Sequence, residues 1–207
     1  TNTNGGEVVL AGGGYSDWCE AALIGSTLDL PKNGVANALT AIEGRAFTGT
    51  GENASGVSFA NVSISNTNPP VATIDGTIDG YKTNDIFGES GYAYLATDTN
   101  SNEIAIINIS SIPYTESGYF NSPGSTDANA VFVSGETGYM TAGDKLYNFD
   151  LSSKSGSRPA IDPDGLTLAG TGTRLQIVGN YEYVSITGGS VELEITYLTN
   201  PLNLTVL

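Results

Sequence analysis

The sequence predicts an all-β fold, a propeller-like array of four-stranded meander blades. A two-strand pattern recurs along the chain, and the aromatic residues that anchor it are separated by steps of 47, 45 and 44 residues: Phe47, Tyr94, Tyr139 and Tyr183. A fixed period in this range is typical of repeat architectures. In addition, 27 glycines separate short runs of Val, Ile, Tyr, Phe and Thr, the composition of strands joined by turns.

The N-terminal residues 1–32 predict part of a degenerate fifth blade. They contain two strand-like stretches, at residues 7–12 and 23–30, rather than four. A full blade needs four strands, so this segment is expected to add to the array without completing a blade.

The clearest repeat lies in residues 80–124. Its strands are expected at residues 85–88, 91–97, 103–109 and 117–120. A polar turn, Asp98-Thr-Asn-Ser-Asn102, joins the second strand to the third, and its residue types favour tight turns. Four strands in about 45 residues, connected as a meander, are typical of a propeller blade.

The other three copies are assigned to residues 33–79, 125–170 and 171–207. No proline-rich linker or change in composition divides them, so residues 1–207 are expected to form one domain. A two-sheet β-sandwich is the alternative, because short alternating strands with turn signals suit that fold too.

The charge balance restricts the partners. The chain has 7 Lys and Arg against 22 Asp and Glu, a net charge of −15. Nucleic acid and anionic membrane surfaces are therefore disfavoured, whereas proteins and glycans remain candidates. No run approaches the ~20 apolar residues of a membrane span, so no membrane insertion is expected. The acidic, lysine-poor composition favours an extracellular or cell-surface location.

Catalytic residues are not evident. The chain has no histidine, which excludes Ser-His-Asp and Cys-His nucleophilic machinery. The single cysteine, Cys19, is best interpreted as a structural thiol. Glu192 and Glu194 alternate on one predicted strand, which leaves a carboxylate-based glycan hydrolase as an alternative. The expectation is that the protein is not an enzyme.

One loop offers candidate metal ligands. Asp98, Asn100 and Asn102 carry oxygen side chains at alternate positions of a tight turn, which can converge on Ca²⁺. The turn-forming tendency of Asp and Asn explains the same residues without a metal, and this second interpretation is favoured.

Tyrosine is the candidate contact residue for a ligand. Eleven tyrosines stand against one tryptophan, and amphipathic tyrosine is common at interfaces. The anchors of the repeat are expected in the blade cores. Four tyrosines in loop-like stretches are the candidate binding residues: Tyr15, Tyr81, Tyr114 and Tyr119.

Three segments resemble a known repeat. Residues 104–113 (IAIINISSIP), 146–154 (LYNFDLSSK) and 193–201 (LEITYLTNP) resemble the strand of the LVIVD repeat, and GYAYLAT and YEYVSIT resemble the strand before it. The chain departs from the repeat at its Asp, which aligns with these residues here: Asn61, Asn108, Asp150 and Thr196. The resemblance implies a bacterial β-propeller, similar to propeller regions of pilin-like surface proteins.

Three functions follow as expectations. The first is a non-enzymatic extracellular or cell-surface interaction module, for adhesion or ligand binding, on a pilus-like appendage. The second is a structural subunit of an extracellular filament or array, because an unclosed sheet edge invites self-assembly. The third is the carboxylate-based glycan hydrolase.

Overall fold

The computed structural model describes residues 8–12, 23–32, 34–42, 44–51, 57–67, 69–202 and 204–207. These residues form nineteen β-strands and contain no helix, and therefore no helix that could cross a membrane. The predicted all-β class is confirmed.

Two N-terminal strands form a small sheet of their own. They are β1 (Val8–Gly12) and β2 (Leu23–Leu28), paired antiparallel. The sequence predicts two strand-like stretches in this segment, and both are strands here.

The first two blades are antiparallel meanders. Blade 1 comprises β3 (Ala36–Ile42), β4 (Arg45–Thr50), β5 (Phe59–Ile64) and β6 (Ala72–Ile78). Blade 2 comprises β7 (Thr83–Gly88), β8 (Tyr92–Thr97), β9 (Ile104–Asn108) and β10 (Thr115–Phe120). The strands of blade 2 begin and end within two residues of the positions expected from the sequence.

Blade 3 also has four strands, and the segment between its third and fourth strands adds a strand to blade 2. It comprises β11 (Ala128–Ser134), β12 (Thr137–Ala142), β13 (Lys145–Asp150) and β15 (Leu166–Thr167). Between β13 and β15 the chain crosses to blade 2, where β14 (Gly156–Arg158) pairs parallel with β10. Blade 2 therefore has five strands.

Blade 4 is the last meander. It comprises β16 (Thr171–Val178), β17 (Tyr181–Thr187), β18 (Leu193–Tyr197) and β19 (Thr205–Val206). The four blades follow one another in chain order, with the first strand of each beside the first strand of the next. The architecture is thus an array of propeller blades.

Each junction between neighbouring blades encloses its own apolar core. Phe47 of blade 1 packs with Ile86 and Leu95 of blade 2. The next two junctions are built in the same way, around Tyr94 and around Tyr139. We call the face of a blade that packs on the next blade its forward face, and the opposite one its rear face.

The register corrects the alignment with the LVIVD repeat. Asn61 lies opposite Phe47, whereas Asn108 lies opposite Tyr92, two positions before the anchor Tyr94. Asn61 is therefore not equivalent to Asn108, and its side chain is buried instead of forming a turn. Asn108 and Asp150 are equivalent, since each side-chain oxygen accepts a hydrogen bond from the backbone N–H two residues later, at 2.9 and 2.8 Å. This position initiates a turn.

Candidate ligand site in the central cavity

A cavity of 520 Å³ opens where the first strands of all four blades meet. This volume lies within the range of small-molecule sites in proteins. Strands β3, β7, β11 and β16 line it with these residues: Leu39–Ile42, Asp85–Gly88, Val131, Phe132 and Arg174–Gln176. Each of these first strands is the innermost strand of its blade. The repeated blades therefore create the cavity by placing their first strands around it.

A repeated asparagine holds these inner strands together. Asn37, Asn84 and Asn129 each sit at an irregularity in the pairing of their blade's first two strands, where the register skips one residue. Their side-chain amides donate to a backbone carbonyl of the next blade at 3.1, 2.8 and 3.0 Å. A bulge turns a side chain out of the sheet, which lets it reach a neighbour.

The series ends in blade 4. Thr173 occupies the equivalent bulge, and its hydroxyl donates to the carbonyl of Ser185 in its own sheet, at 3.2 Å. The asparagine contacts therefore link blade 1 to blade 2, blade 2 to blade 3 and blade 3 to blade 4, which fixes the spacing of the strands around the cavity.

Replacing Asn129 with Ala is expected to lower the free energy of unfolding by about 1–2 kcal/mol, because the partly buried carbonyl of Gly172 loses its donor. Asn180→Ala is the control, since this exposed residue lies in the turn between β16 and β17. Urea unfolding of both variants measures the difference. Equal losses in the two variants would contradict a structural role for the asparagine contacts.

The polar end of the cavity is an ion pair that joins three blades. The Arg174 guanidinium of blade 4 lies 3.4 Å from an Asp85 carboxylate oxygen of blade 2, and it donates to the carbonyl of Asn84 at 3.2 Å. The second Asp85 oxygen accepts from the backbone N–H of Val131 in blade 3, at 3.1 Å.

Opposing effects act on the Asp85 carboxyl. Burial raises its pKa above the usual value, whereas the hydrogen bond from Val131 and the charge of Arg174 act to lower it. The Arg174 side chain remains 54% exposed, against 17% for Asp85. A ligand entering the cavity would therefore meet the guanidinium first.

Two aromatic rings form the apolar wall. Phe87 of blade 2 and Phe132 of blade 3 are half-buried, with ring centroids 4.7 Å apart and planes tilted by 53°. Thr40 and Gln176 contribute uncharged polar groups nearby. The site thus offers hydrogen-bond donors, acceptors and aromatic surface together, with one positive charge balanced by one negative charge.

The tyrosines predicted to bind a ligand lie elsewhere. Tyr81 is half-buried and its hydroxyl donates to the Glu116 carboxylate, and the pKa of Tyr81 is raised by burial and by that carboxylate. Tyr119 is a half-buried residue of β10. Tyr15 lies outside the described residues, and none of the other three lines the cavity.

Tyr114 is buried, contrary to the prediction from the sequence. It was expected on the surface, but its side chain is only 7% exposed, and its hydroxyl accepts from the Asn61 amide at 2.9 Å. The ring lies against Gly76, where a Cβ would approach it to 2.7 Å. Tyr114 therefore fills the junction between blades 1 and 2, and the absence of a side chain at Gly76 makes room for it.

The predicted metal ligands occupy the turn after β8. An Asp98 oxygen accepts from the backbone N–H of Lys82 at 3.3 Å, and the Asn102 amide donates to Glu116 at 3.0 and 3.1 Å. Asn100 is exposed. Across the described ranges, no three acidic or cysteine side chains cluster as metal ligands would. A calcium site built on loop amides stays a prediction.

The sequence analysis did not identify the cavity residues, although the repeat positions of two of them are unusual. Asp85 and Arg174 each follow the bulge of their blade, where the other two blades have Ala38 and Ala130. Two residues of opposite charge at a repeat position that is otherwise alanine were the signal for this ion pair. Asn37, Asn84 and Asn129 recur with the same steps as the aromatic anchors.

Comparison with solved structures supports the propeller fold. The chain is similar to a candidate 6-phosphogluconolactonase from Bacteroides uniformis (TM-score 0.67, 12% identity), covering 90% of this chain and 59% of that one. It is also similar to the WD40 domain of Neurospora crassa Pan2 (0.54, 13%, covering 87% and 55%). A third similar structure is the computationally designed Ika4 protein (0.60, 13%, covering 82% and 96%).

These likenesses concern the fold alone. The chain spans between half and three fifths of the two natural proteins it resembles. No protein-family model matches the sequence, and no curated protein does.

One expectation is wrong in the light of these structures. The sequence predicted that the chain is not an enzyme, but a candidate lactonase has this fold. Propellers host many functions, so neither the fold nor the missing histidine excludes catalysis.

Proposed function

We propose that this protein is an extracellular or cell-surface binding module that takes a glycan segment into the central cavity. The observation that carries the proposal is the combination of two aromatic rings with a balanced ion pair in a cavity of 520 Å³.

The chemistry of the cavity favours a neutral polyol. Asp85 accepts hydrogen bonds and Arg174 donates them, and their interacting atoms lie 3.4 Å apart. Adjacent hydroxyl groups can satisfy both, because a hydroxyl is donor and acceptor at once. A charged ligand would have to displace one partner of the pair and leave the other uncompensated. The apolar faces of Phe87 and Phe132 suit the C–H surface of a sugar ring.

The proposal includes a location at the cell surface and a relationship to LVIVD-repeat propellers. The net charge of −15 repels polyanions and leaves neutral glycans as partners. The resemblance to LVIVD repeats and to propellers of pilin-like proteins supports a bacterial surface protein that acts in adhesion, on a pilus-like appendage.

Replacing Arg174 with Ala is expected to weaken binding of a neutral oligosaccharide at least about 10-fold, because charge-assisted hydrogen bonds contribute about 1.5–3 kcal/mol. A glycan array run with calcium and with a chelator identifies the sugar, and calorimetry then measures its Kd. Phe132→Ala should also weaken binding through loss of ring contact.

Arg45→Ala serves as the matched control, since Arg45 begins β4 and does not line the cavity. Binding that is unchanged by Arg174→Ala and Phe132→Ala would overturn the cavity as the site. Binding that depends on calcium and is lost in Asp98→Ala would move the site to the 98–102 turn instead.

A further inference from the structure

The four first strands place their side chains in two layers around the cavity. Side chains two residues apart on a strand point to the same face, and they stand about 6.6 Å apart along it. The layer that comes first along each strand holds the ion pair, and we call it the charged layer: Ala38, Asp85, Ala130 and Arg174. The layer two residues later is the second layer: Thr40, Phe87, Phe132 and Gln176.

The residues of the second layer occupy the same position in every blade. Each lies directly opposite the aromatic anchor of its blade, as in the pairs Thr40–Phe47 and Gln176–Tyr183. All four line the cavity. Blades 2 and 3 contribute phenyl rings, whereas blades 1 and 4 contribute a hydroxyl and a primary amide. The second layer is therefore apolar on one side, hydrogen-bonding on the other, and uncharged throughout.

The amide of Gln176 has hydrogen-bonding capacity to offer a ligand. Its nitrogen lies 3.5 Å from the carbonyl oxygen of Ile177, which is longer than the about 2.7–3.2 Å of a good hydrogen bond. A primary amide has two N–H donors and a carbonyl acceptor, and the hydroxyl of Thr40 can donate and accept. A ligand group that donates and accepts would therefore find partners on this side of the second layer.

The substituents of a sugar ring differ in how well they fit this layer. A carboxylate or an ammonium would find no countercharge there, because Asp85 and Arg174 pair with each other in the charged layer. A hydroxyl would bond with the polar side and leave the phenyl surface uncovered. An acetamido group has an N–H, a carbonyl and a methyl group, so it can satisfy the polar side and cover the aromatic side together.

Building on the glycan-binding function, we propose that the sugar in the cavity carries an acetamido group. Its amide is hydrogen-bonded by Gln176 and Thr40, and its methyl group lies on the rings of Phe87 and Phe132. Vicinal hydroxyls of the same sugar meet the ion pair of the charged layer. A 2-acetamido-2-deoxyhexose holds both sets of groups on one ring, so a single sugar can reach both layers. Gln176 and Thr40 are therefore specificity-determining residues of the site.

A matched pair of disaccharides tests the proposal. N,N′-diacetylchitobiose and cellobiose share their linkage and ring stereochemistry and differ in the 2-acetamido groups alone. Calorimetry with the full chain is expected to give a Kd at least about 10-fold lower for diacetylchitobiose, because the acetamido group adds hydrogen bonds and methyl contact. Gln176→Leu and Thr40→Val remove hydrogen-bonding groups with little change in volume, and each is expected to reduce the ratio of the two Kd values at least about 3-fold.

The control variant and the possible outcomes separate this proposal from the glycan-binding function. Thr73→Val is the matched control, since Thr73 is an exposed residue of β6 that does not line the cavity, and the ratio should persist in it. Equal Kd values for the two disaccharides, tighter binding of cellobiose, or a ratio unchanged by both cavity variants would overturn the acetamido preference and leave glycan binding intact. Failure of every neutral glycan to bind would overturn the glycan-binding function, and the acetamido preference with it.

Discussion

Replacing Glu182 with Gln is expected to stabilise the protein by several kcal/mol above pH 8, and to remove much of the fall in stability as the pH rises. Glu182 lies on the rear face of blade 4, fully buried against blade 3. Neither of its carboxyl oxygens has a hydrogen-bond partner among the described residues.

Burial disfavours the charged form of this carboxyl. It raises the pKa of Glu182 from 4.5 to about 8. The folded state therefore keeps a proton that the unfolded state loses as the pH passes 4.5. Stability contributed in this way is present below pH 4.5 and is lost between pH 4.5 and about 8, at about 1.4 kcal/mol per pKa unit.

Urea unfolding of both proteins across this pH range measures the effect. The two curves should nearly coincide at acidic pH and diverge at alkaline pH. Glu192→Gln is the matched control, because it makes the same substitution at an exposed residue just before β18. Parallel curves for wild type and Glu182→Gln would show that the buried carboxyl does not titrate with folding.

The repeat pattern in the sequence predicted most of the fold. The anchors Phe47, Tyr94 and Tyr139 were expected in blade cores, and all three are buried. Tyr183 belongs to the same series but is half-buried. Its sequence environment matches the others, and the difference arises because no other blade of the described residues packs on its ring. Whether a repeat position is covered depends on the next unit in space, which a local pattern does not contain.

The candidate site depends on contacts between distant blades. Arg174 pairs with Asp85 across two blade junctions, and no motif of fixed spacing describes such a pair. Tyr114 was misjudged for a related reason: its sequence neighbours resemble a loop, but its ring is held by Asn61, which precedes it by 53 residues. Loop tyrosines identify a surface only when no other blade has space for the ring.

Replacing Gly138 with Ala is expected to destabilise the protein strongly, with a loss of about 3 kcal/mol. Gly138 lies on β12, and a Cβ there would approach the Phe149 ring to 2.2 Å. That ring cannot move aside easily, because it stacks on Phe120 of blade 2 with centroids 4.5 Å apart and planes 7° from parallel. The glycine therefore makes room for the aromatic contact that joins blades 2 and 3.

Thermal and urea unfolding measure the loss, with Gly51→Ala as the control, since the nearest atoms to a Cβ at Gly51 lie at an ordinary 3.7 Å. The double variant Gly138→Ala with Phe149→Leu separates a clash from a backbone effect. If the clash is the cause, the smaller side chain relieves it, and the two substitutions together cost less than the sum of their separate losses. Additive losses would instead indicate that glycine is needed for the backbone conformation of β12 and not to avoid a clash with Phe149.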